Sequence, residues 1–161
     1  MQLNSKLMAK ISHIARGFGN ALLSMMMRPH GRQVAALCTR KGQHGLEFLL
    51  VTSRRKGRWI IPKGWPMEGK SFPETALEEA WEEAGVRKGQ IKEQKLGHYT
   101  YQKEQKNGTA LSCLVYVYLI EVDALEDDFP ESKKRKRRWV SKGEAIELLS
   151  EPELKELIRI I

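Results

Sequence analysis

Runs of hydrophobic residues, separated by glycine, proline and asparagine, divide the chain into segments of strand-like length. Residues 33–39 (QVAALCT) and 47–53 (EFLLVTS) are two such runs, and the glycines between them predict a turn. A third, very short strand is predicted over 59–61, where Pro62 ends it. The first part of the chain therefore predicts three strands that follow one another closely.

A second pair of strand-like runs covers residues 95–102 and 109–122. Asn107 and Gly108 lie between these runs, and this dipeptide is a strong signal for a β-hairpin turn. The second run is long and almost continuously apolar, which is typical of a strand buried on both faces. We therefore expect the strand over 109–122 to lie in the centre of the sheet.

The segment after the short strand predicts a helix from about Phe72 to Ala84. Ser71 followed three residues later by Glu74 is a capping-box pattern, which marks the beginning of a helix. Gly85 is the residue type at which helices commonly end. Both ends of this helix are thus predicted from local signals.

The last part of the chain predicts two more helices, each preceded by a capping box. The two boxes are Ser141 with Glu144 and Ser150 with Glu153. We expect the first helix to end near Leu149 and the second to run from Pro152 to the end. Apolar residues at helical spacing give the last helix a packing stripe. The stripe consists of Leu154, Leu157, Ile158 and Ile161.

Residues 1–32 contain basic but no acidic residues, and the first acidic residue of the chain is Glu47. Apolar residues recur at helical spacing in this segment, which predicts an amphipathic helix. They are Leu3, Leu7, Ile11, Ile14 and Phe18. The helix either packs on the domain or serves as a transit peptide, a class of segment that is also basic and acid-poor. We interpret 1–32 as a basic amphipathic extension that precedes a domain over 33–161.

The helix predicted over 72–84 has two chemically different sides. At about 100° per residue, apolar side chains gather on one side and carboxylates on the other. The apolar side consists of Leu77, Ala80, Trp81 and Ala84, and the carboxylates are those of Glu79, Glu82 and Glu83. Like charges at this spacing repel one another, and a divalent cation would remove that penalty. The carboxylate side therefore predicts either a Mg²⁺ or Mn²⁺ site or a solvated acidic surface.

Composition narrows the class of protein. A length of 161 residues, with 41% hydrophobic and 30% charged residues, suits one globular domain. The net charge of +8 indicates a polyanionic partner or substrate. Cys38 and Cys113 lie far apart in apolar runs, so they are predicted to be reduced core residues of a cytoplasmic protein. No apolar run approaches the roughly 20 residues that a membrane-spanning helix needs.

The loop and helix over residues 64–86 resemble the Nudix box. That motif contains a glycine, five residues, an acid, seven residues, and then Arg-Glu-aliphatic-any-Glu-Glu-any-Gly-aliphatic. The residues in register with it are Gly64, Glu79, Ala80, Glu82, Glu83, Gly85 and Val86. Two positions depart from the motif, because Lys70 replaces the acid and Glu78 replaces the arginine.

These two departures exchange an acid for a base and a base for an acid. If the resemblance implies an ion pair that braces the loop against the helix, Lys70 and Glu78 form it with the charges exchanged. The alternative is that the two residues are unrelated surface substitutions. Glu78 also adds a fourth negative charge near the carboxylates.

Resemblance to the Nudix hydrolases implies a fold, a reaction and a set of site residues. The implied fold is an α/β/α sandwich with a mixed sheet and a catalytic loop and helix. The implied reaction is hydrolysis of phosphoanhydride bonds, with Mg²⁺ or Mn²⁺ as the cofactor. The implied catalytic residues are Glu79, Glu82 and Glu83, and these glutamates together with the Gly64 carbonyl are the implied metal ligands.

The span over 32–149 is similar to the branch that hydrolyses diphosphoinositol polyphosphates and diadenosine polyphosphates. This similarity lies in VTSRRKGRWIIPKG before the box and in the basic run 133–138, which Trp139 follows. It implies that basic residues around the box bind substrate phosphates. The predicted substrate-binding residues are Arg32, Arg54, Lys63, Arg135 and Arg137. For the run 133–138, the alternatives are a solvated loop and a nuclear-localisation-like tract.

A second function class stays open beside the enzyme. The three carboxylates favour a pyrophosphohydrolase of highly phosphorylated small molecules. Glu78 and the basic run instead favour a catalytically impaired Nudix-fold module that binds polyanions or RNA. For either class we expect a cytoplasmic protein without a membrane span, and the oligomeric state is left open.

Overall fold

The computed structural model describes residues 31–161. The helix predicted within residues 1–32 therefore lies outside the described residues. The last two positions of that extension, Gly31 and Arg32, begin the first strand. The eight strands are β1 (Gly31–Gly42), β2 (Gly45–Thr52), β3 (Trp59–Ile60), β4 (Lys63–Gly64), β5 (Val86–Ile91), β6 (Gly97–Glu104), β7 (Ala110–Leu125) and β8 (Arg137–Ser141). The helices are α1 (Phe72–Ala84), α2 (Lys142–Leu148) and α3 (Pro152–Arg159).

The strands form one mixed sheet in the order β3-β2-β1-β7-β5. In addition, β4 pairs with β1, β6 with β7, and β8 with β2. β1 and β7 run parallel, with Thr39 opposite Glu121, and the other pairs are antiparallel. β7 has β1 on one side and β5 and β6 on the other, so the prediction of a central strand is confirmed.

Helices cover both faces of the sheet, which confirms the α/β/α sandwich. Alternate residues of β1 point to opposite faces, as the period of a strand requires. Leu37 packs on one face with Leu154 and Ile158 of α3, whereas Ala36 packs on the other with Ala80 of α1. Two separate hydrophobic cores therefore hold the sheet, and each depends on one helical layer.

The two cysteines lie inside these layers, as predicted. Cys38 and Cys113 are both buried and free. Burial raises the pKa of the Cys38 thiol to about 12, because the thiolate would lose its hydration. The protonated thiol of Cys38 therefore behaves as a small apolar core group.

The structure differs from the sequence prediction in three strands and one helix end. The two-residue strand β4 lies beyond the predicted stop at Pro62 and pairs with β1. β5 has the polar sequence VRKGQI and pairs with β7 through an irregular register, so its pattern gave no strand signal. β8 begins inside the basic run, at Arg137. The predicted capping box of Ser150 and Glu153 is absent, and the α3 N-cap is Glu151 without a side-chain hydrogen bond. Glu153 instead accepts hydrogen bonds from the backbone and side chain of Thr100.

Among residues 31–161, no helix combines the length and the apolar character that crossing a bilayer requires.

Candidate active site

The site is built around α1, whose ends are determined by its own sequence. The Ser71 hydroxyl accepts a hydrogen bond from the Glu74 amide at 3.3 Å, and the Glu74 carboxylate accepts one from the Ser71 amide at 2.7 Å. At the other end, Gly85 adopts a φ of 70°, which costs glycine no steric strain, and donates to the last turn. The predicted bounds of this helix are confirmed.

α1 packs through a stripe of small residues that includes Ala80 and Ala84 of the predicted apolar side, and Leu77 of that side packs against the same core. Ala76, Ala80 and Ala84 are fully buried against the sheet. Trp81 is only partly buried and lies under the Arg87 guanidinium, so its predicted place in the core is wrong. Alanine allows the helix backbone to approach the sheet closely, which brings the carboxylates on the neighbouring stripe to the sheet edge.

A cleft of about 960 Å³ opens in front of these carboxylates. Its walls come from α1, from the loop 53–58, from β6 and from the segment before β8. Glu79, Glu82 and Glu83 all line it, together with Gly64. The structure thus brings the three predicted catalytic glutamates and the predicted carbonyl ligand together in one cleft.

Glu79 lies directly against the backbone of Gly64. A Cβ atom at position 64 would overlap the Glu79 carboxylate, so only glycine leaves room for it. Glu79 is 7% exposed, and none of the basic side chains of residues 31–161 donates a hydrogen bond to its carboxylate. The motif therefore requires glycine at position 64 for a steric reason, because a side chain there would displace the Glu79 carboxylate.

Glu83 is held from two sides. One carboxylate oxygen accepts a hydrogen bond from the Lys63 amide at 3.2 Å, and the other pairs with the Arg135 guanidinium. Arg135 also pairs with Glu131, a carboxylate that the sequence analysis did not select. Charge-assisted bonds of this kind are stronger than neutral ones, so the Glu83 carboxylate has a defined orientation.

The crowding of carboxylates changes their acidity. Burial, followed by the charges of Glu83 and Glu82, raises the pKa of Glu79 to about 7. Burial also raises the pKa of Glu83, and the positive charge of Arg135 opposes this shift. Burial and the neighbouring carboxylates thus disfavour full ionisation of this group of glutamates.

Comparison with known proteins identifies the family. The family model described as NUDIX domain matches residues 29–159 of this chain. The chain belongs to the Nudix family. Its loop 65–71 and helix α1 are accordingly the Nudix box of this chain, and the prediction of the family is confirmed.

Three relatives illustrate the similarity. Nudix hydrolase 12, mitochondrial, of Arabidopsis thaliana is 35% identical over 106 residues, which are 64% of this chain and 52% of that protein. Diphosphoinositol polyphosphate phosphohydrolase 3-beta of Homo sapiens is 35% identical over 121 residues, 73% of this chain and 68% of that protein. The crystal structure of C. elegans Ap4A hydrolase has a TM-score of 0.56 and 27% identity, covering 80% of this chain and 93% of that one. The chain spans between about half and about two thirds of the length of these curated relatives.

The donor groups of this Nudix box suit a divalent cation. Three carboxylates and one carbonyl offer hard oxygen ligands, and a cation would relieve the repulsion among the carboxylates. No three His, Cys, Asp or Glu side chains of residues 31–161 form a ready-made metal cage. Mg²⁺ seldom uses such cages, because it keeps several waters and binds one or two carboxylates together with substrate phosphates. The residues present therefore fit Mg²⁺ or Mn²⁺ held in that way.

Lys70 and Glu78 form a salt bridge between the Nudix loop and α1. Their side chains are 39% and 33% exposed, so the pair is partly screened by water. A pair of this exposure contributes up to about 1 kcal/mol. The contact joins the two positions at which the sequence departs from the motif.

We expect the double variant Lys70→Glu with Glu78→Arg to keep activity within about twofold of wild type. Each single change should lower activity about two- to fivefold, because it places like charges together at the base of the loop. Initial rates with saturating Mg²⁺ measure the effect. Two harmless single variants would show that the salt bridge does not support the site.

The structure divides the five predicted substrate-binding residues into two groups. Arg54, Lys63 and Arg135 line the cleft, whereas Arg32 and Arg137 do not. The Arg137 guanidinium donates to the Ala84 carbonyl at the end of α1. For Arg137, a structural role at the helix end thus replaces the predicted substrate contact.

Lys63 is a partly buried basic residue of the cleft. Its ammonium group is 5.2 Å from the centre of the Tyr101 ring. Burial lowers the pKa of Lys63, and the carboxylates of Glu83 and Glu151 oppose that shift. Arg54 is more exposed, and it lies 3.4 Å from Glu131.

Sequence analysis missed several residues that line the cleft. They are Gln33, Trp65, Tyr101, Lys103, Lys106, Glu131 and Glu151. Arg55, Lys56 and Arg58 also line the cleft, and they belong to the same basic cluster as Arg54, which the sequence analysis expected to bind phosphates. Tyr101, Glu131 and Glu151 carry no local signal, since they reach the cleft only through pairing of β6 and packing of the segments around β8 and α3.

Proposed function

We propose that this chain hydrolyses phosphoanhydride bonds in highly phosphorylated substrates, with Mg²⁺ or Mn²⁺ as the cofactor. Diadenosine polyphosphates and diphosphoinositol polyphosphates are the two substrate classes that the names of its relatives suggest. The observation that carries the proposal is that a carboxylate cluster and a basic cluster face one cleft. The first group suits a metal ion and the second suits phosphates.

Basic residues of the 53–58 loop would hold the non-reacting phosphates. Arg54, Arg55, Lys56 and Arg58 stand along one wall of the cleft, and Lys103 and Lys106 stand on β6 and the turn after it. Positive side chains at this position orient a polyphosphate and neutralise its charge, which is the main requirement for phosphoryl transfer. Substrates with many phosphates would use more of these contacts than a simple nucleoside diphosphate.

The carboxylates would hold the cation at the reacting phosphate. Glu82 and Glu83 are the proposed ligands, Glu79 a ligand or general base, and the Gly64 carbonyl a further ligand. When bound, the cation would polarise the phosphate and lower the pKa of the attacking water. The Lys63 amide and Arg135 keep Glu83 oriented, and the backbone of Gly64 limits the position of Glu79.

A panel of substrates tests the proposed function. The panel contains diadenosine polyphosphates, diphosphoinositol polyphosphates, nucleoside triphosphates and nucleotide sugars, each with Mg²⁺ or Mn²⁺. We expect release of phosphate or nucleotide that needs the metal, with rates highest for the substrates that carry most phosphates. The variant Glu82→Gln removes one charge and keeps the side-chain volume, so it tests whether cleavage depends on a proposed metal ligand. Absence of metal-dependent cleavage across the panel contradicts the proposal.

One observation favours the binding module as a second candidate. Lys133, Lys134, Lys136 and Arg138 are exposed on the segment before β8 and on its first residues, where they offer a polyanion a positive surface. A binding module would retain salt-sensitive affinity for RNA or polyphosphate without cleavage. Binding that persists in the absence of any hydrolysis would favour this second candidate.

The remaining expectations concern partners and location. A polyphosphorylated small molecule stays the proposed partner of the cleft. Location in the cytoplasm stays a prediction, and two of the Arabidopsis thaliana relatives are named as mitochondrial and chloroplastic proteins. The domain division at residue 32 likewise stays a proposal.

A further inference from the structure

We propose that Arg135 is a positioning residue that holds the Glu83 carboxylate at the cleft, and that it does not bind substrate phosphates. This inference rests on the proposed function for the role of Glu83. The role of Arg135 would thus differ from that of the exposed basic residues in the run 133–138.

The Arg135 side chain is buried and its donors are engaged by the protein. The side chain is 5% exposed, the lowest value among the salt-bridged basic side chains of residues 31–161. One terminal nitrogen pairs with Glu83, and the Nε atom pairs with Glu131. The other terminal nitrogen donates to the Thr52 carbonyl at 2.8 Å. All three nitrogens of the planar group thus have a protein partner.

The backbone around Arg135 is fastened to the end of β2. The Thr52 amide donates to the Lys136 carbonyl at 2.9 Å, and the Lys136 amide donates to the Thr52 hydroxyl at 2.9 Å. The Arg135 amide donates to the Glu131 carbonyl at 3.1 Å. These bonds leave the Arg135 side chain little freedom to turn toward a substrate.

Arg135 and the Lys63 amide bind different oxygens of the Glu83 carboxylate. The Lys63 amide reaches one oxygen at 3.2 Å, and Arg135 holds the other. A carboxylate oxygen has two lone pairs, so each oxygen keeps acceptor capacity on the cleft side. Outer partners of this kind orient metal ligands, and their loss typically costs 10–100-fold in affinity or activity.

Arg135 does not pair with every carboxylate of the site. Its single positive charge faces two carboxylates, those of Glu83 and Glu131. Glu79 and Glu82 are two further carboxylates nearby that do not pair with Arg135, so the group keeps oxygen ligands for a divalent cation. By contrast, Lys133, Lys134 and Lys136 of the same run are exposed and available to phosphates.

The test compares Arg135→Lys with Arg54→Lys, the same chemical change at a residue that is 59% exposed in the same cleft. Lysine keeps the charge, but its ammonium cannot bridge Glu83, Glu131 and the Thr52 carbonyl as a planar fork does. Mn²⁺ affinity is measured by electron paramagnetic resonance without substrate, and kcat and KM are measured with the best substrate of the panel. Thermal melting checks that each variant is folded.

We expect Arg135→Lys to weaken Mn²⁺ binding about tenfold and to lower kcat by at least about tenfold, with KM within about twofold of wild type. Arg54→Lys should raise KM and leave Mn²⁺ affinity unchanged. Should Arg135→Lys fail to fold, Glu131→Gln replaces it, because this change loosens Arg135 through Nε and should weaken Mn²⁺ binding in the same direction.

Mn²⁺ affinity of Arg135→Lys within twofold of wild type would overturn the proposal, and so would a tenfold higher KM with unchanged Mn²⁺ affinity. The metal measurement needs no substrate, so it separates this inference from the proposed function. If no substrate of the panel is cleaved but Mn²⁺ binding still depends on Arg135, the proposed function fails and the inference stands.

Discussion

Glu82→Gln is expected to lower metal-dependent turnover by roughly 10²–10³-fold, because it removes a proposed ligand from the reacting centre. Glu82 lines the cleft and is partly exposed, so the isosteric amide has room to replace the carboxylate. Folding should not suffer, since the change relieves repulsion with Glu79, three residues earlier on the helix, by a few tenths of a kcal/mol. Steady-state rates at saturating substrate, over a Mg²⁺ titration, measure the loss.

The matched control for this variant is Glu147→Gln in α2. Glu147 is exposed on a helix remote from the cleft, so the control removes one negative charge from the chain without touching the site. Its activity should equal that of wild type. Full activity of Glu82→Gln would remove Glu82 from the proposed ligands.

Gly64→Ala is the second variant with a large expected effect, a loss of activity of roughly 10–100-fold. The new Cβ atom would overlap the Glu79 carboxylate, which must then leave its place beside the Gly64 backbone. A carboxylate is the far end of a flexible side chain, so the overlap is relieved by moving Glu79 rather than the backbone. We therefore expect the site to be damaged while the free energy of unfolding changes by only about 1 kcal/mol.

Gly143→Ala provides the control for that substitution. A Cβ atom at position 143 meets no neighbouring atom within 4 Å, and the residue lies in α2. Alanine should stabilise this helix by up to about 1 kcal/mol and leave activity unchanged. Urea unfolding and initial rates, measured for both variants, separate the effect on the fold from the effect on the site. Equal activity of Gly64→Ala and wild type would contradict the steric role of Gly64.

Local signals predicted much of the fold and the centre of the site. The ends of α1 follow from the Ser71 capping box and from Gly85, which act within one helical turn. The hairpin between β6 and β7 follows from Asn107 and Gly108, and the antiparallel pairing of Glu104 with Ala110 confirms it. Spacing of Glu79, Glu82 and Glu83 on one helix also sufficed to place them on one stripe.

Local signals failed where a side chain has competing partners far away in sequence. Ser150 and Glu153 have the capping-box spacing, but Glu153 bonds Thr100, 53 residues away. Arg135 and Arg137 look like their basic neighbours in sequence, yet both turn inward to α1. Each such contact depends on which elements the sheet brings together. It therefore cannot be predicted from the residues that are near in sequence.

By itself the sequence determined the family motif, the positions of most strands along the chain, and the helix that carries three carboxylates. Capping, periodicity and turn chemistry act over a few residues, so a short window of sequence contains them. Only the tertiary structure decided that Trp81 is left partly exposed, that Arg32 and Arg137 do not line the cleft, and that Glu131 and Tyr101 join it. It also decided that Arg135 pairs with Glu83, 52 residues away. Burial and charge pairing depend on neighbours in space, and the mixed sheet, with β1 parallel to β7, sets those neighbours.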